Sequence, residues 1–298
     1  MDTTPAQYLS TSPLRDQTTI DYLSAQVANP FYGIPQFAGG GITGKNLSRG
    51  NLLRPYPQYN GITMPDPQGE SWYHSLQVRF DKRFSHGLLL SLNYTWSKYM
   101  DGTGYLNDSD PTPTDVISAS DRPHRVTING VWELPVGKGR MFLAHAPGLL
   151  DAVVGGWQYQ AIWMWQMGAP LGFGNVLFLG NINDIALPSG QKSLDQWFNT
   201  NAGFDRLTAE QLADNIRAFP LRLSGVRAPN QNYWNMSLYK QFRLKEGLKM
   251  QVRTEWEGAL NTPQFAGPNT APTNTLFGEI NSTQGEARRI YVGLKLLF

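Results

Sequence analysis

The sequence has no cysteine among its 298 residues, which excludes disulfide scaffolds, thiolate metal sites and cysteine nucleophiles. It is also poor in charge: Lys, Arg, Asp and Glu make up 16%, against roughly 25% in ordinary soluble domains. Neither sign dominates. The 25 basic and 23 acidic side chains leave a formal charge of +2, without the basic stripe that a nucleic-acid binder needs. No run of about 18 apolar residues exists, so no membrane-spanning helix is expected; the uncharged tract 152–183 is broken by Gln158, Gln160, Gln166, Pro170 and several glycines. Residues 1–30 lack the basic start and apolar run of a secretory signal.

What the chain does have is aromatic content of 12%, too much for a disordered polymer, and a period-two pattern in segment after segment. Such alternation arises when the two faces of a strand meet different solvents. From Leu248, one set reads Leu248, Met250, Val252, Thr254, Trp256 and the interleaved set Lys249, Gln251, Arg253, Glu255, Glu257. The same sorting recurs at 72–84 (Leu76, Val78, Phe80 against Gln77, Arg79, Asp81), 88–100 (Leu90, Leu92, Tyr94 against Ser91, Asn93, Thr95) and 124–134 (Val126, Ile128, Trp132 against Arg125, Thr127, Asn129). It recurs again at 157–167, 233–243 and 289–298. Lys82 is the one charge on the apolar side of its segment. Seven strands are therefore expected.

The connections between them alternate in length. Residues 85–87 and 245–247 are tight turns, whereas 101–123, 168–231 and 260–286 are long and rich in Gly, Pro, Asn and Thr. Residues 135–156 form an intermediate link in which 148–154 suits a single helical stretch. Short and long connections thus fall at opposite ends of the sheet, as in outer-membrane barrels. About 11 residues at 3.3 Å, tilted about 45°, cover the roughly 25 Å apolar band of such a wall. Tryptophans and tyrosines such as Trp72, Trp132, Trp157, Trp165 and Trp256 lie towards segment ends, where interfacial girdles sit. The fold expected is all-β: a partial transmembrane antiparallel β-barrel, an open curved sheet of about seven strands with long extracellular loops. Residues 1–70 are expected to be a largely irregular extracellular loop region and 71–298 the barrel portion. A soluble β-sandwich module that binds carbohydrate on exposed tryptophans also alternates; it requires the apolar faces to pack against a second sheet.

Several local stretches are distinctive together: Leu53-Arg54-Pro55-Tyr56-Pro57-Gln58 followed by Tyr73-His74-Ser75-Leu76-Gln77-Val78; Tyr94-Thr95-Trp96-Ser97-Lys98; Asp121-Arg122-Pro123-His124-Arg125; Leu134-Pro135-Val136-Gly137-Lys138-Gly139-Arg140; Gly155-Gly156-Trp157-Gln158; Trp197-Phe198-Asn199; and Asn261-Thr262-Pro263-Gln264-Phe265. With them, the chain resembles, over residues 50–298, the C-terminal part of a TonB-dependent receptor of the Oar-like group, whose members carry an N-terminal carboxypeptidase-regulatory-like domain. Asn235 stands where the resemblance leads one to expect Asp. The resemblance implies energised uptake of a ligand through the outer membrane of a Gram-negative bacterium. It further implies a 22-strand barrel around an N-terminal plug, preceded by a box gripped by a TonB-type energising protein. None of these precedes residue 1, so the chain is expected to be a fragment of such a receptor whose partners are the missing barrel and plug segments, outer-membrane lipid and the barrel assembly machinery. The alternating Ile290, Val292, Leu294 and Leu296 ending in Phe298 are similar to the signal that this machinery reads. The lumen-lining candidates are Arg79, Asp81, Arg125, Arg253, Glu255 and Glu257.

Other chemistry is weakly supported. Gly39-Gly40-Gly41-Ile42-Thr43-Gly44-Lys45-Asn46 fits a phosphate-binding loop until Asn46, which stands where a hydroxyl should hold magnesium; an external glycine-rich loop is the better reading. His74, His86, His124 and His145 show no metal-ligand spacing. Asn107, Asp108, Ser109, Asp110 and Asp115 supply clustered oxygens but not the twelve-residue calcium-loop spacing. Glu255 and Glu257 share a face with Lys249, Gln251 and Arg253, as a hydrated wall would have them. No set of nucleophile, base and orienting group is found, so neither catalysis nor a cofactor is expected.

Overall fold

The computed structural model describes residues 2–37, 42–59, 61, 62, 64–285 and 287–298. Seven long strands form one antiparallel sheet: β1 (Glu70–Ser85), β2 (Leu88–Gly102), β3 (His124–Glu133), β4 (Trp157–Gln166), β5 (Gln231–Lys245), β6 (Leu248–Glu257) and β7 (Arg289–Leu297). They lie side by side in chain order, and the short strand Val116–Ile117 adds to β2. The order of neighbours follows from the connections: each joins two strands that run in opposite directions, so every pair is a local one.

Register carries the face sorting across the whole sheet. Leu76 faces Trp96, Phe80 faces Leu92, Leu92 faces Ile128, Ile128 faces Trp163, Trp163 faces Trp234, Met236 faces Trp256 and Trp256 faces Ile290. A one-residue slip at any pair would move an entire strand's apolar set to the polar side. The apolar face is uncovered at both ends of the sheet: Val292 is 79% exposed and Leu294 67%, and Leu76, Val78 and Phe80 are exposed on β1. The only other sheets among the described residues are two-stranded (Gln26–Ala28 with Asn46–Ser48, and Pro170–Leu171 with Leu223–Arg227). Neither lies over the apolar face as the second layer of a sandwich, so the carbohydrate-binding sandwich is not the fold.

The edge strands β1 and β7 each pair on one side only. Both run from the long-loop end to the short-turn end, so direct closure of this sheet on itself would bring parallel strands together.

The long connections are not loose. The segment 168–230, with residues from 260–286, builds a cap with its own core of Leu171, Phe173, Val176, Ile185, Phe198, Phe204, Phe219, Leu223, Val226 and Phe277. Phe198 and Ile185 are completely buried. Phe173 packs edge-on against Phe198 with ring centroids 5.0 Å apart and stacks on Phe204 at 5.0 Å; such pairs add about 0.5–1.5 kcal/mol each beyond area burial. The cap chain doubles back where Gly180 meets Gly203. A Cβ at Gly180 would overlap the Ala202 carbonyl, and Gly203 has φ +126°, so neither position accepts another residue without strain.

Residues 2–69 contain short elements rather than a bare loop, among them the helix Gln17–Ser24 and the small sheet of Gln26–Ala28 with Asn46–Ser48. The segment is stitched to the cap: the Ser10 amide donates to Asp214 O (2.8 Å), the Ile216 amide donates to Ser10 O (2.8 Å), and Arg15 Nη1 donates to Gln211 O (2.6 Å). At the other end of the sheet, the 135–156 link carries the helix Gly148–Val154.

Candidate functional site

On the polar face of the sheet a hollow of about 450 Å³ is lined by Asn129, Gln160, Asn235, Ser237, Arg253, Glu255 and Glu257, together with apolar side chains such as Leu89, Val131 and Ile162. Alternation places these side chains: Asn129 comes from β3, Gln160 from β4, Asn235 and Ser237 from β5, and the charged three from β6. Arg253 Nε pairs with Glu255 Oε1 at 2.5 Å, and Glu257 lies opposite Arg289 in the register. Amides and hydroxyls link neighbouring strands on this face. Ser237 Oγ donates to Gln160 Oε1 (3.2 Å), the Tyr239 hydroxyl donates to Gln158, and Gln158 Nε2 donates to Glu133 Oε1 (3.4 Å). Asn235 Oδ1 accepts from the Gly258 amide (3.0 Å).

The other lumen candidates share the face but not the hollow. Arg79 Nε pairs with Asp81 Oδ2 at 2.7 Å on β1, with both side chains well exposed. Arg125 on β3 donates to Met164 Sδ (3.4 Å). Both ion pairs join residues two apart on one strand, as period-two geometry allows, and exposed pairs of this kind contribute about 0–1 kcal/mol. The polar face therefore offers hydrogen-bond donors and acceptors of both charges.

The stretch Asp121-Arg122-Pro123-His124-Arg125 is a rivet between wall and cap, a role its sequence does not announce. The Asp121 side chain is 1% exposed. Its Oδ1 accepts from the Tyr99 amide on β2 (2.7 Å), and its Oδ2 accepts from Arg227 Nη2 in the cap (2.7 Å). Arg227 also donates to Ser224 O (2.9 Å) and Gly168 O (3.2 Å). The Ser97 amide donates to Pro123 O (2.9 Å) and its hydroxyl to Arg122 O (3.0 Å). His124 Nδ1 lies 2.8 Å from the Tyr94 hydroxyl. Burial, and after it the neighbouring Arg227 charge, pushes the Arg122 guanidinium below its ordinary pKa, while Asp121 acts the other way. A second link sits further along the same rim, where Arg222 Nη2 pairs with Asp101 Oδ1 at 2.6 Å.

The remaining sequence candidates sit as follows. Part of the glycine-rich stretch, residues 39–41, lies outside the described residues. Asn107 and Asp110 hold turns: the Asn107 amide donates to Asp110 Oδ2 (2.8 Å), and Asn107 Oδ1 accepts from the Arg217 amide (2.7 Å). Among the described residues, no three His, Asp or Glu side chains are grouped to hold a metal ion. His86 occupies the β1–β2 turn at φ +52°. Ile290, Val292, Leu294 and Leu296 line one face of β7 opposite Trp256, Thr254, Val252 and Met250, and Phe298, 96% exposed, ends the chain at the short-turn end.

No helix among the described residues is long and apolar enough to cross a membrane, which says nothing about crossing by strands. No curated protein and no solved structure matches the chain. A family model described as an outer membrane beta barrel domain matches residues 9–291, a span that takes in six of the seven wall strands whole, the first three residues of the seventh, and the cap. The chain belongs to the outer-membrane β-barrel domain family, and its strands form part of a barrel wall in the outer membrane.

Proposed function

We propose that the chain is the C-terminal wall and extracellular cap of a TonB-dependent receptor of the Oar-like group, working in energised uptake of a ligand through the outer membrane. The observation that carries this reading is the cap. Two long connections fold around one phenylalanine core and are riveted through Arg227 to Asp121 in the third, and the amino-terminal segment is stitched on through Ser10. Such a roof suits capture of a ligand ahead of its passage better than an open, permanently conducting pore. The sequence motifs quoted above point the same way.

In this reading the sheet is completed by further strands. Each unpaired backbone group facing lipid costs several kcal/mol, and β1 and β7 both offer open edges. Ligand caught at the cap would pass a lumen wall whose Arg253, Glu255, Gln160 and Asn129 offer mixed, replaceable hydrogen bonds. Energy would come from a TonB-type protein acting on a plug at the periplasmic end. No catalytic step is assigned to the chain.

The test is made on the outer-membrane gene product that contains this chain. Reconstituted in planar phospholipid bilayers, a plugged receptor gives no steady open conductance, and the periplasmic domain of a TonB-type protein immobilised on resin retains it. Stable open steps in the bilayer, with no retention on the resin, would replace this reading with a passive pore.

A further inference from the structure

The link at the periplasmic end, residues 135–156, carries six apolar side chains that nothing among the described residues covers. Met141 is 80% exposed and Leu149 88%, and Phe142, Leu143, Leu150 and Val153 are exposed as well. An isolated exposed leucine needs no explanation, but a contiguous set on one short connection does. Leu149 and Val153 stand four apart on the helix Gly148–Val154 and so share its face.

The link is held rigidly in place. Asp151 Oδ1 accepts from the Lys138 amide at 2.6 Å. A Cβ at Gly137 would come within 2.6 Å of that oxygen and 2.8 Å of the Gly155 Cα, so the glycines permit the wrap. The helix is also fastened to the outer side of the wall. Lys240 and Trp157 are cross-strand partners on the apolar face. Lys240 Nζ donates to Ala152 O at 2.6 Å and to Asp151 O at 3.4 Å, and Trp157 Nε1 donates to Val153 O at 2.8 Å. The ammonium also sits 4.9 Å from the centroid of Phe242. Lys240 is a charge on the lipid-facing side, and it is only 5% exposed because the helix's last carbonyls and these rings enclose it.

We propose that this link is a membrane-interface anchor, seated in the periplasmic leaflet of the outer membrane. Its apolar side chains enter the boundary between headgroups and acyl chains, with Lys138 at the level of the phospholipid phosphates, while Arg140 is held by Glu133 of the polar face (Nη2 to Oε2 3.2 Å). Three observations choose lipid as the occupant. The apolar patch is continuous with the lipid-facing wall through Trp157. The charge that anchors the helix is satisfied internally, leaving the helix's outward face apolar. An exposed lysine, Lys138, flanks the patch, which suits an interface with anionic headgroups. The inference rests on the barrel wall and not on the uptake reading.

The chain itself has no cysteine, so with any thiol elsewhere in the gene product replaced by serine the labels report only the chosen positions. Single cysteines at Leu149, Val153, Lys138, Val292 and Leu207 in the outer-membrane gene product are spin-labelled and reconstituted in vesicles of phosphatidylcholine with phosphatidylglycerol. Relaxation by oxygen and by a water-soluble nickel chelate then reports depth. The expected result is an oxygen-to-nickel ratio several-fold higher at Leu149→Cys and Val153→Cys than at Leu207→Cys on the cap, with Lys138→Cys between them and Val292→Cys high as the wall control. Nickel access at Leu149→Cys and Val153→Cys equal to that at Leu207→Cys, while Val292→Cys stays shielded, overturns the anchor and leaves the wall intact. Aqueous behaviour at Val292→Cys as well overturns both.

Discussion

The cap is held to the wall at Asp121, and Asp121→Ala tests how strongly. The substitution removes two bonds to one buried carboxylate, from the Tyr99 amide and from Arg227 Nη2, both at 2.7 Å. Hydrogen bonds to a charged group contribute about 1.5–3 kcal/mol each, and breaking a buried ion pair costs about 3–5 kcal/mol. Arg227 keeps its carbonyl partners at Ser224 and Gly168, so the lower end applies, about 3 kcal/mol. At about 1.4 kcal/mol per tenfold, the cap's opening equilibrium shifts by roughly a hundredfold. Amide hydrogen exchange in proteoliposomes reads this locally: Leu223–Arg227 should exchange about a hundredfold faster, with β6 and β7 unchanged. Combining Asp121→Ala with Arg227→Met should cost clearly less than the two single changes added, because each removes the same contact. Protection in 223–227 that stays within a few-fold of the parent, or single effects that simply add, would refute the rivet.

Four further outcomes are expected. Phe198→Ala, at the fully buried centre of the phenylalanine cluster, should cost the cap about 3–5 kcal/mol, seen as protease cleavage within 168–230 while the wall resists. Gly180→Ala should open the same region, because its Cβ has no room against the Ala202 carbonyl. On the wall, Leu294→Arg should destabilise insertion by about 2–4 kcal/mol if it lies near the bilayer midplane, measured by reversible urea unfolding in vesicles, whereas Gln251→Arg on the lumen face should stay within about 0.5 kcal/mol. The fourth concerns Asp16, which caps the helix Gln17–Ser24. Bonds from the Thr19 hydroxyl, the Thr19 amide and the Ser10 hydroxyl hold its carboxyl below the usual 3.8. A folded pKa below the unfolded one gives stabilisation that is complete above the unfolded value and lost as pH falls through the folded one. Protection of the Thr19 amide should therefore persist at pH 5 and decline only below about 4; a decline centred near pH 6 would contradict this cap.

The wall was legible because two solvents act on alternate residues, and that constraint is written into every strand from Leu76 to Leu296. Strand ends were legible less sharply: β1 and β5 run 16 and 15 residues, beyond the segments where apolar and polar residues sort cleanly, since their outer turns leave the apolar band and lose the constraint. The helix at 148–154 follows the sequence expectation, but its seat over Lys240 does not, because that contact joins residues 88 apart. The cap was missed. Phe173, Phe178, Phe198, Phe204 and Phe219 meet in one cluster yet fall at irregular spacings, since they reach the centre from turns with no repeat; five phenylalanines in a stretch otherwise read as polar loop was the available signal. The rivet was visible only as a resemblance, because nothing local pairs Asp121 with an arginine 106 residues away. Among the lumen candidates, the shared face was legible from alternation. Which of them line the central hollow was not, because that depends on how far along its strand each one sits.

The partition of faces can be measured on one strand. Single cysteines through β6, introduced into a chain with no cysteine of its own and with any thiol elsewhere in the gene product replaced by serine, are challenged in vesicles with a membrane-impermeant maleimide. Gln251→Cys, Arg253→Cys and Glu255→Cys should label readily, while Met250→Cys, Val252→Cys and Trp256→Cys should be spared until the vesicles are dissolved in detergent. Equal labelling along the strand, or the opposite phase, would contradict a wall that places its apolar side chains in lipid.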